Sequence, residues 1–161
     1  MVFKKILIGI DDNKFAEHAA TYGFDIARKY NAHVGLVHIV EPAIMPQMST
    51  GNDIITGMPM QGGIMEDMEL MDIQKDQSEH FIERLIKKLA GDLQVTHFNE
   101  FGTKAEGIIN CCQEFKADLI VIGTHSRTGF DRLIMGSVAE HVIRQATVPV
   151  LVVPIGKSES Q

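Results

Sequence analysis

An α/β fold, with a five-stranded, parallel, doubly wound sheet, is predicted by three observations on this 161-residue chain. Short runs of continuous apolar, β-branched residues, such as "KKILIGI", "HVGLVHIV" and "DLIVIG", mark strands buried on both faces. Between them lie stretches whose apolar residues recur at helical spacing. The two kinds of segment alternate along the chain, as they do when crossover helices connect parallel strands. The architecture expected is the three-layer α/β/α one of Rossmann-like and flavodoxin-like folds.

The first strand is read over residues 4–10. From Asn13 to Tyr30 the positions Phe15, Ala19, Ala20, Gly23, Phe24 and Ala27 form one helical face. A second strand covers residues 33–40 and stops before Pro42. Residues 66–90 read as a long amphipathic helix, with Phe81, Leu85 and Leu89 one turn apart and Gly91 ending it. "QVTHFNEF" (94–101) alternates, and is expected to be the most exposed strand. Thr103 and Glu106 have capping-box spacing at the start of a helix over Lys104–Phe115. A fourth strand follows at 118–123 and a fourth helix at Leu133–Ala146. "VPVLVVP" supplies a fifth strand bounded by Pro149 and Pro154.

One domain over residues 1–155 is expected, with an unpacked tail at 156–161. Residues 41–65 interrupt the alternation as a flexible insertion holding three prolines, Pro42, Pro46 and Pro59, and four glycines. Seven of the nine methionines fall between Met45 and Met71, so this interval reads as a loosely packed insertion or as a lid or partner surface. Thioether binding of copper lacks any fixed geometry nearby.

With 45% hydrophobic and 22% charged residues, the composition is that of an ordinary globular domain. A net charge of −6 argues against general binding to nucleic acid or anionic membranes, while leaving room for one small anion at a local basic spot. The opening "MVFKKILIGIDDN" has too short an apolar run for a signal segment, and no stretch reaches membrane-spanning length. The two cysteines are adjacent, Cys111 and Cys112, which gives neither a disulfide framework nor metal-ligand spacing. A cytoplasmic location is the simplest expectation.

Ligands of doubly wound sheets sit beyond the carboxyl ends of the strands at the switch point, so Asp11, Asp12, the residues after His38 and those from Gly123 onward should share one crevice. The stretch "GTHSRTGFDRLIMGS" (123–137) leaves the fourth strand there. It is neither a Walker A loop, because no Gly-Lys-Ser/Thr closes it, nor a dinucleotide Gly-x-Gly-x-x-Gly. Gly136 falls inside the next helical pattern, where glycine costs about 1 kcal/mol against alanine, so either a ligand or a neighbouring strand is expected to approach it closely.

The chain resembles the universal stress proteins, whose ATP-binding members carry Gly, two residues, Gly, nine residues, then Gly-Ser or Gly-Thr after the fourth strand. Here the spacing is Gly123, Thr124-His125, Ser126, nine residues from Arg127 to Met135, then Gly136-Ser137. The likeness covers nearly the whole chain, including "KKILIGID", "LVHIVEP", "ADLIVIGTH" and "GSVAEHVIRQATVPVLVVP". Ser126 stands in place of the second glycine. Its Cβ opposes binding if the backbone there needs positive φ, and its hydroxyl can donate to a phosphate if it does not.

The resemblance implies a nucleotide-dependent stress-response or regulatory dimer that binds ATP, with ADP or AMP as alternatives and a magnesium ion carried on the phosphates. Such an ion would be held mainly by phosphate oxygens and water, so no protein ligand is named. Asp11, next to Ile10, would accept from the ribose hydroxyls; it could equally cap a helix, as could Asp12 or Asn13. Ile39 would line the adenine pocket and read the base edge with its main chain. Gly123 and Ser126 would contact ribose and the first phosphates, beside His125 and the cation of Arg127. Gly136, Ser137 and Val138 would hold the remaining phosphates through backbone N–H groups and the Ser137 hydroxyl. Homodimerisation through residues 149–154, paired antiparallel with the symmetry mate, is implied too, and an apolar open edge independently favours it.

His38 and His125 could form an acid–base pair with Asp11; otherwise they are a core histidine bonded to a carbonyl and a solvated loop residue. Of Cys111 and Cys112, at most one is expected to face the core. The competing readings are a nucleotide-independent dimeric adaptor with a closed site, and a slow ATP phosphohydrolase or adenylyl transferase. Catalytic residues are assigned to none of them.

Overall fold

The computed structural model describes residues 2–10, 16–40, 62–124 and 136–154. Along the chain come β1 (Lys5–Ile10), α1 (Ala16–Tyr30), β2 (His33–Val40), α2 (Gly62–Leu89), β3 (Val95–Phe101), α3 (Lys104–Phe115), β4 (Leu119–Gly123), α4 (Ser137–Gln145) and β5 (Val150–Val153). All four strand pairings are parallel and the order is β3-β2-β1-β4-β5. The chain winds outward from β1 through β2 to β3, then returns to β4 on the other side of β1. The switch point therefore lies between β1 and β4, where Gly9 pairs with Ile122.

The strand interiors explain the unbroken apolar runs. Residues 6–10 of β1 and 34–40 of β2 are all buried, because helices cover both faces. On one face α1 and α2 pack Phe24, Ile82 and Leu85 against Ile6, Ile8 and Leu36. On the other, α3 and α4 pack Ile108, Phe115 and Val142 against Leu7, Val37 and Ile39. Two glycines bring helices close to the sheet: a Cβ at Gly23 would meet Ile8 Cδ1 at 2.5 Å, and one at Gly107 would meet Ile39 Cδ1 at 2.5 Å. β3, at an edge, is the strand with least burial, as its alternating sequence suggests.

Four local expectations are corrected. α2 begins at Gly62, so residues 62–65 of the expected insertion are helical. Gly136 is the N-cap of α4, with φ −57° and ψ 151°, and the helix starts at Ser137; the interior-glycine penalty does not apply. The capping box at α3 does not form, because Thr103 Oγ1 donates at 2.5 Å to the Glu106 carboxylate, a charged acceptor, and no side chain caps the helix. Cys111 and Cys112 are both buried, at 2% and 6% exposure, because the sheet covers one flank of α3 and α4 another. Residues 11–15, 41–61, 125–135 and 155–161 lie outside the described residues, and with them the start expected for α1 at Asn13.

Candidate functional site

The candidate site at the switch point is assembled from the ends of β1, β2 and β4 and the start of α4. Ile10 closes β1 and lies level with His38 of β2; Gly123 closes β4, one step past the Gly9–Ile122 pair. α4 returns the chain to β5, which pairs parallel with β4, so α4 runs against the strands and its N-terminus sits at the end where they finish.

Ile39 divides its roles between side chain and main chain. Its side chain is buried beneath α3, against Gly107. Its main-chain groups lie in the plane of the sheet. The amide of His33 donates to Lys4 O in the β1 segment, that of Val34 donates to Gln94 O before β3, and Val40 O accepts from Gly102 N. Strand alternation then directs the Ile39 amide and carbonyl toward β1. Among the described residues the β1 ladder ends at Ile10, level with His38, and the Ile39 carbonyl lies beyond that last described pair.

Gly123 is exposed. A Cβ there would meet Ala19 Cβ at 3.4 Å and Val153 O at 4.0 Å, which are ordinary contacts. Packing does not require glycine at this position, unlike at Gly23 and Gly107. Gly136 offers no side chain, and α4 opens without a side-chain cap. Its first-turn amides at Ser137, Val138 and Ala139 therefore form the positive end of the helix dipole. Ser137 is exposed and Val138 half-buried. The structure thus brings Ile10, Ile39, Gly123, Gly136, Ser137 and Val138 to one end of the sheet, while Asp11, His125, Ser126 and Arg127 fall outside the described residues.

His38 is a core histidine, 1% exposed. Its Nδ1 is hydrogen-bonded to Ser78 Oγ, whose hydroxyl reaches Asn99 Oδ1 at 3.1 Å, and its ring meets Phe81 edge-on at 6.5 Å. Ser78 is 5% exposed and Asn99 Nδ2 is buried with no partner. Neither residue was singled out by sequence reasoning. The signal was present for Ser78: it precedes Ile82, Leu85 and Leu89 by four, seven and eleven residues, the inward register of α2.

Burial pushes the Cys111 thiol up to about 12, with Glu100 and Glu114 adding to the effect, and raises Cys112 as well. Both are structural, unreactive thiols. A groove of about 200 Å³ lies between β3 and α3, lined by Glu100, Glu106, Glu114 and Asn110 among others. Its carboxylates would repel phosphate, which separates it from the switch-point crevice. Among the described residues no group of His, Cys, Asp or Glu could hold a metal ion, and no helix is long and apolar enough to cross a membrane.

A sequence profile of the Universal stress protein family matches residues 2–154. A universal stress protein of Methanocaldococcus jannaschii is 33% identical over 160 residues, covering 98% of this chain and 86% of that protein. The solved structure of the universal stress protein UspA from Lactobacillus plantarum superposes with a TM-score of 0.75 at 18% identity, covering 95% and 99% of the two chains. A universal stress protein solved in complex with cAMP gives 0.61 at 19% identity, covering 97% and 100%. One from Archaeoglobus fulgidus in complex with dAMP gives 0.53 at 21%, covering 94% and 98%. The parallel sheet, its switch-point crevice and the profile match over nearly the whole length agree, and the chain belongs to the universal stress protein family.

Proposed function

We propose that this protein binds an adenine nucleotide, ATP with magnesium in the first instance, at the switch-point crevice and uses it as a signal within a homodimer. The observation that carries the reading is the N-terminus of α4 behind Gly136, without a side-chain cap among the described residues, at the same end of the sheet as an exposed Gly123 where a Cβ would make only ordinary contacts with them. Free helix amides bind anions, and a glycine lets a phosphate approach the bare backbone. Relatives that bind cAMP and dAMP support an adenine nucleotide as the class of ligand.

In this reading the Ile39 carbonyl accepts from the adenine amino group, Ile10 lies beneath the base, and Asp11 holds the ribose. Gly123, His125, Ser126 and Arg127 contact ribose and the first phosphates, and Gly136, Ser137 and Val138 hold the rest. The cation rides on phosphate oxygens and water. A cytoplasmic single domain, dimerised through residues 149–154, completes the reading. β5 is an edge strand that is only half-buried along Val150–Val152, which leaves backbone groups for a symmetry mate.

Calorimetry of ATP, ADP and AMP with magnesium, on protein stripped of nucleotide, tests it beside Ser126→Gly. Micromolar binding by the wild type is expected. Binding by Ser126→Gly alone would identify a closed-site adaptor, and binding by neither would end the nucleotide reading.

A further inference from the structure

The buried group formed by His38 on β2, Ser78 on α2 and Asn99 on β3 has no place in the nucleotide contacts, yet it lies one residue before Ile39. Its hydrogen bonds do not close in the orientation shown. A hydroxyl donates only one proton. With the Ser78 hydroxyl donated to Asn99 Oδ1, Ser78 Oγ must accept from His38 Nδ1, and both N–H groups of Asn99 Nδ2 stay buried without a partner. A half-turn of the Asn99 amide exchanges its oxygen and nitrogen without changing its shape. Nδ2 then donates to Ser78 Oγ, the Ser78 hydroxyl donates to His38 Nδ1, and the ring carries its single proton on Nε2. No net proton is gained and the two hydrogen bonds are kept; the unpartnered position passes from the amide nitrogen to the amide oxygen, and an under-satisfied carbonyl is the less costly orphan in a core.

We propose that this chain runs Asn99 to Ser78 to His38, holding His38 as the neutral Nε2–H tautomer, and that it is a polar latch positioning the last residues of β2 at the crevice. β2 is in register with β1 as far as the Ile10–His38 pair and with β3 as far as Val40–Phe101, so His38 is its last residue level with described residues on both sides. The latch ties that residue to α2 and β3 at once, so Ile39, which follows directly, inherits its position. Ser78 and His38 act through Ile39 and touch no ligand. This positioning role rests on the nucleotide reading; the tautomer does not.

Nitrogen-15 NMR of the His38 imidazole in ligand-free protein tests the latch. The wild type should show Nε2 protonated and Nδ1 as an acceptor. In Asn99→Asp the carboxylate can only accept, Ser78 must donate to it, and His38 Nδ1 should become protonated. A protonated Nδ1 in the wild type, or no change in Asn99→Asp, overturns the proposed direction. Should Asn99→Asp not fold, Ser78→Ala removes the relay from a helix position that favours alanine, and His38 Nδ1 should then lose its acceptor signature. Folded Ser78→Ala should also bind AMP about threefold or more weakly, with recovery in Ser78→Thr. Unchanged affinity in Ser78→Ala overturns the positioning role. If the wild type binds no adenine nucleotide, that role falls with the reading it rests on, and the tautomer measurement still decides the latch.

Discussion

At the end of the sheet where the strands begin, polar groups are used up on one another; at the end where they finish, several have no partner among the described residues. Asp118 accepts from Lys4 N at 2.8 Å and from Lys5 N at 3.3 Å. Lys5 Nζ donates to Phe115 O at 3.1 Å and lies 5.0 Å above the Phe115 ring. That ring meets His33 edge-on at 4.9 Å and Phe98 at 5.8 Å, and His33 Nε2 is 2.9 Å from Thr96 Oγ1. At the opposite end, among the described residues, α4 starts without a side-chain cap, Gly123 is exposed and the Ile39 carbonyl lies beyond the last described pair of β1. One end of the same sheet is closed by contacts among its own side chains, and the other presents the backbone groups that the proposed ligand would use.

Substitutions at the two ends should therefore behave differently. The largest effect is expected from Phe115→Ala, which empties the centre of the closed end: about 3–4 kcal/mol of stability by denaturant unfolding. Asp118→Ala should cost about 1.5 kcal/mol by removing the charged acceptor of two backbone N–H groups, one exposed and one part-buried, with nucleotide affinity unchanged in calorimetry. Gly123→Ala should invert the pattern. Its Cβ fits, so stability should stay within about 0.5 kcal/mol, while nucleotide affinity falls about tenfold, equivalent to about 1.4 kcal/mol. A Gly123→Ala protein that loses stability and keeps its affinity would erase the distinction between the two ends.

The smallest effect concerns pH. Burial, with Lys5 nearby, lowers the His33 pKa below its ordinary 6.5, so the folded state favours the neutral ring. The unfolded chain takes up the proton first, and stability therefore falls as pH drops below about 6.5. Thermal melts of wild type and His33→Gln at pH 7.5 and 5.5 should show a shallower fall in the variant, without effect on the crevice end.

The closed end and the layers were legible in the sequence because they rest on periodicity. Runs of apolar residues marked β1, β2, β4 and the edge strand β5, and helical spacing marked the faces of α1 to α4. What periodicity could not supply was where a pattern stops. "LIM" at 133–135 extends the apolar spacing of α4 upstream, which hid Gly136 as a cap. Thr103 and Glu106 have the right spacing for a capping box, but spacing does not say that the hydroxyl prefers the carboxylate. The double burial of Cys111 and Cys112 depends on α4 lying beside α3, a tertiary fact. Ser78 had the inward register of its helix, whereas its partners His38 and Asn99 meet it only through the order of the strands.

Amide chemical-shift mapping during titration with AMP compares the two ends in one experiment on a 161-residue chain. Perturbations concentrated at Ile10, Ile39, Gly123 and Gly136–Val138, with Lys5, His33, Phe115 and Asp118 unmoved, are the predicted result. Shifts centred on the closed end or on the acidic groove between β3 and α3, or none at saturating nucleotide, would contradict it.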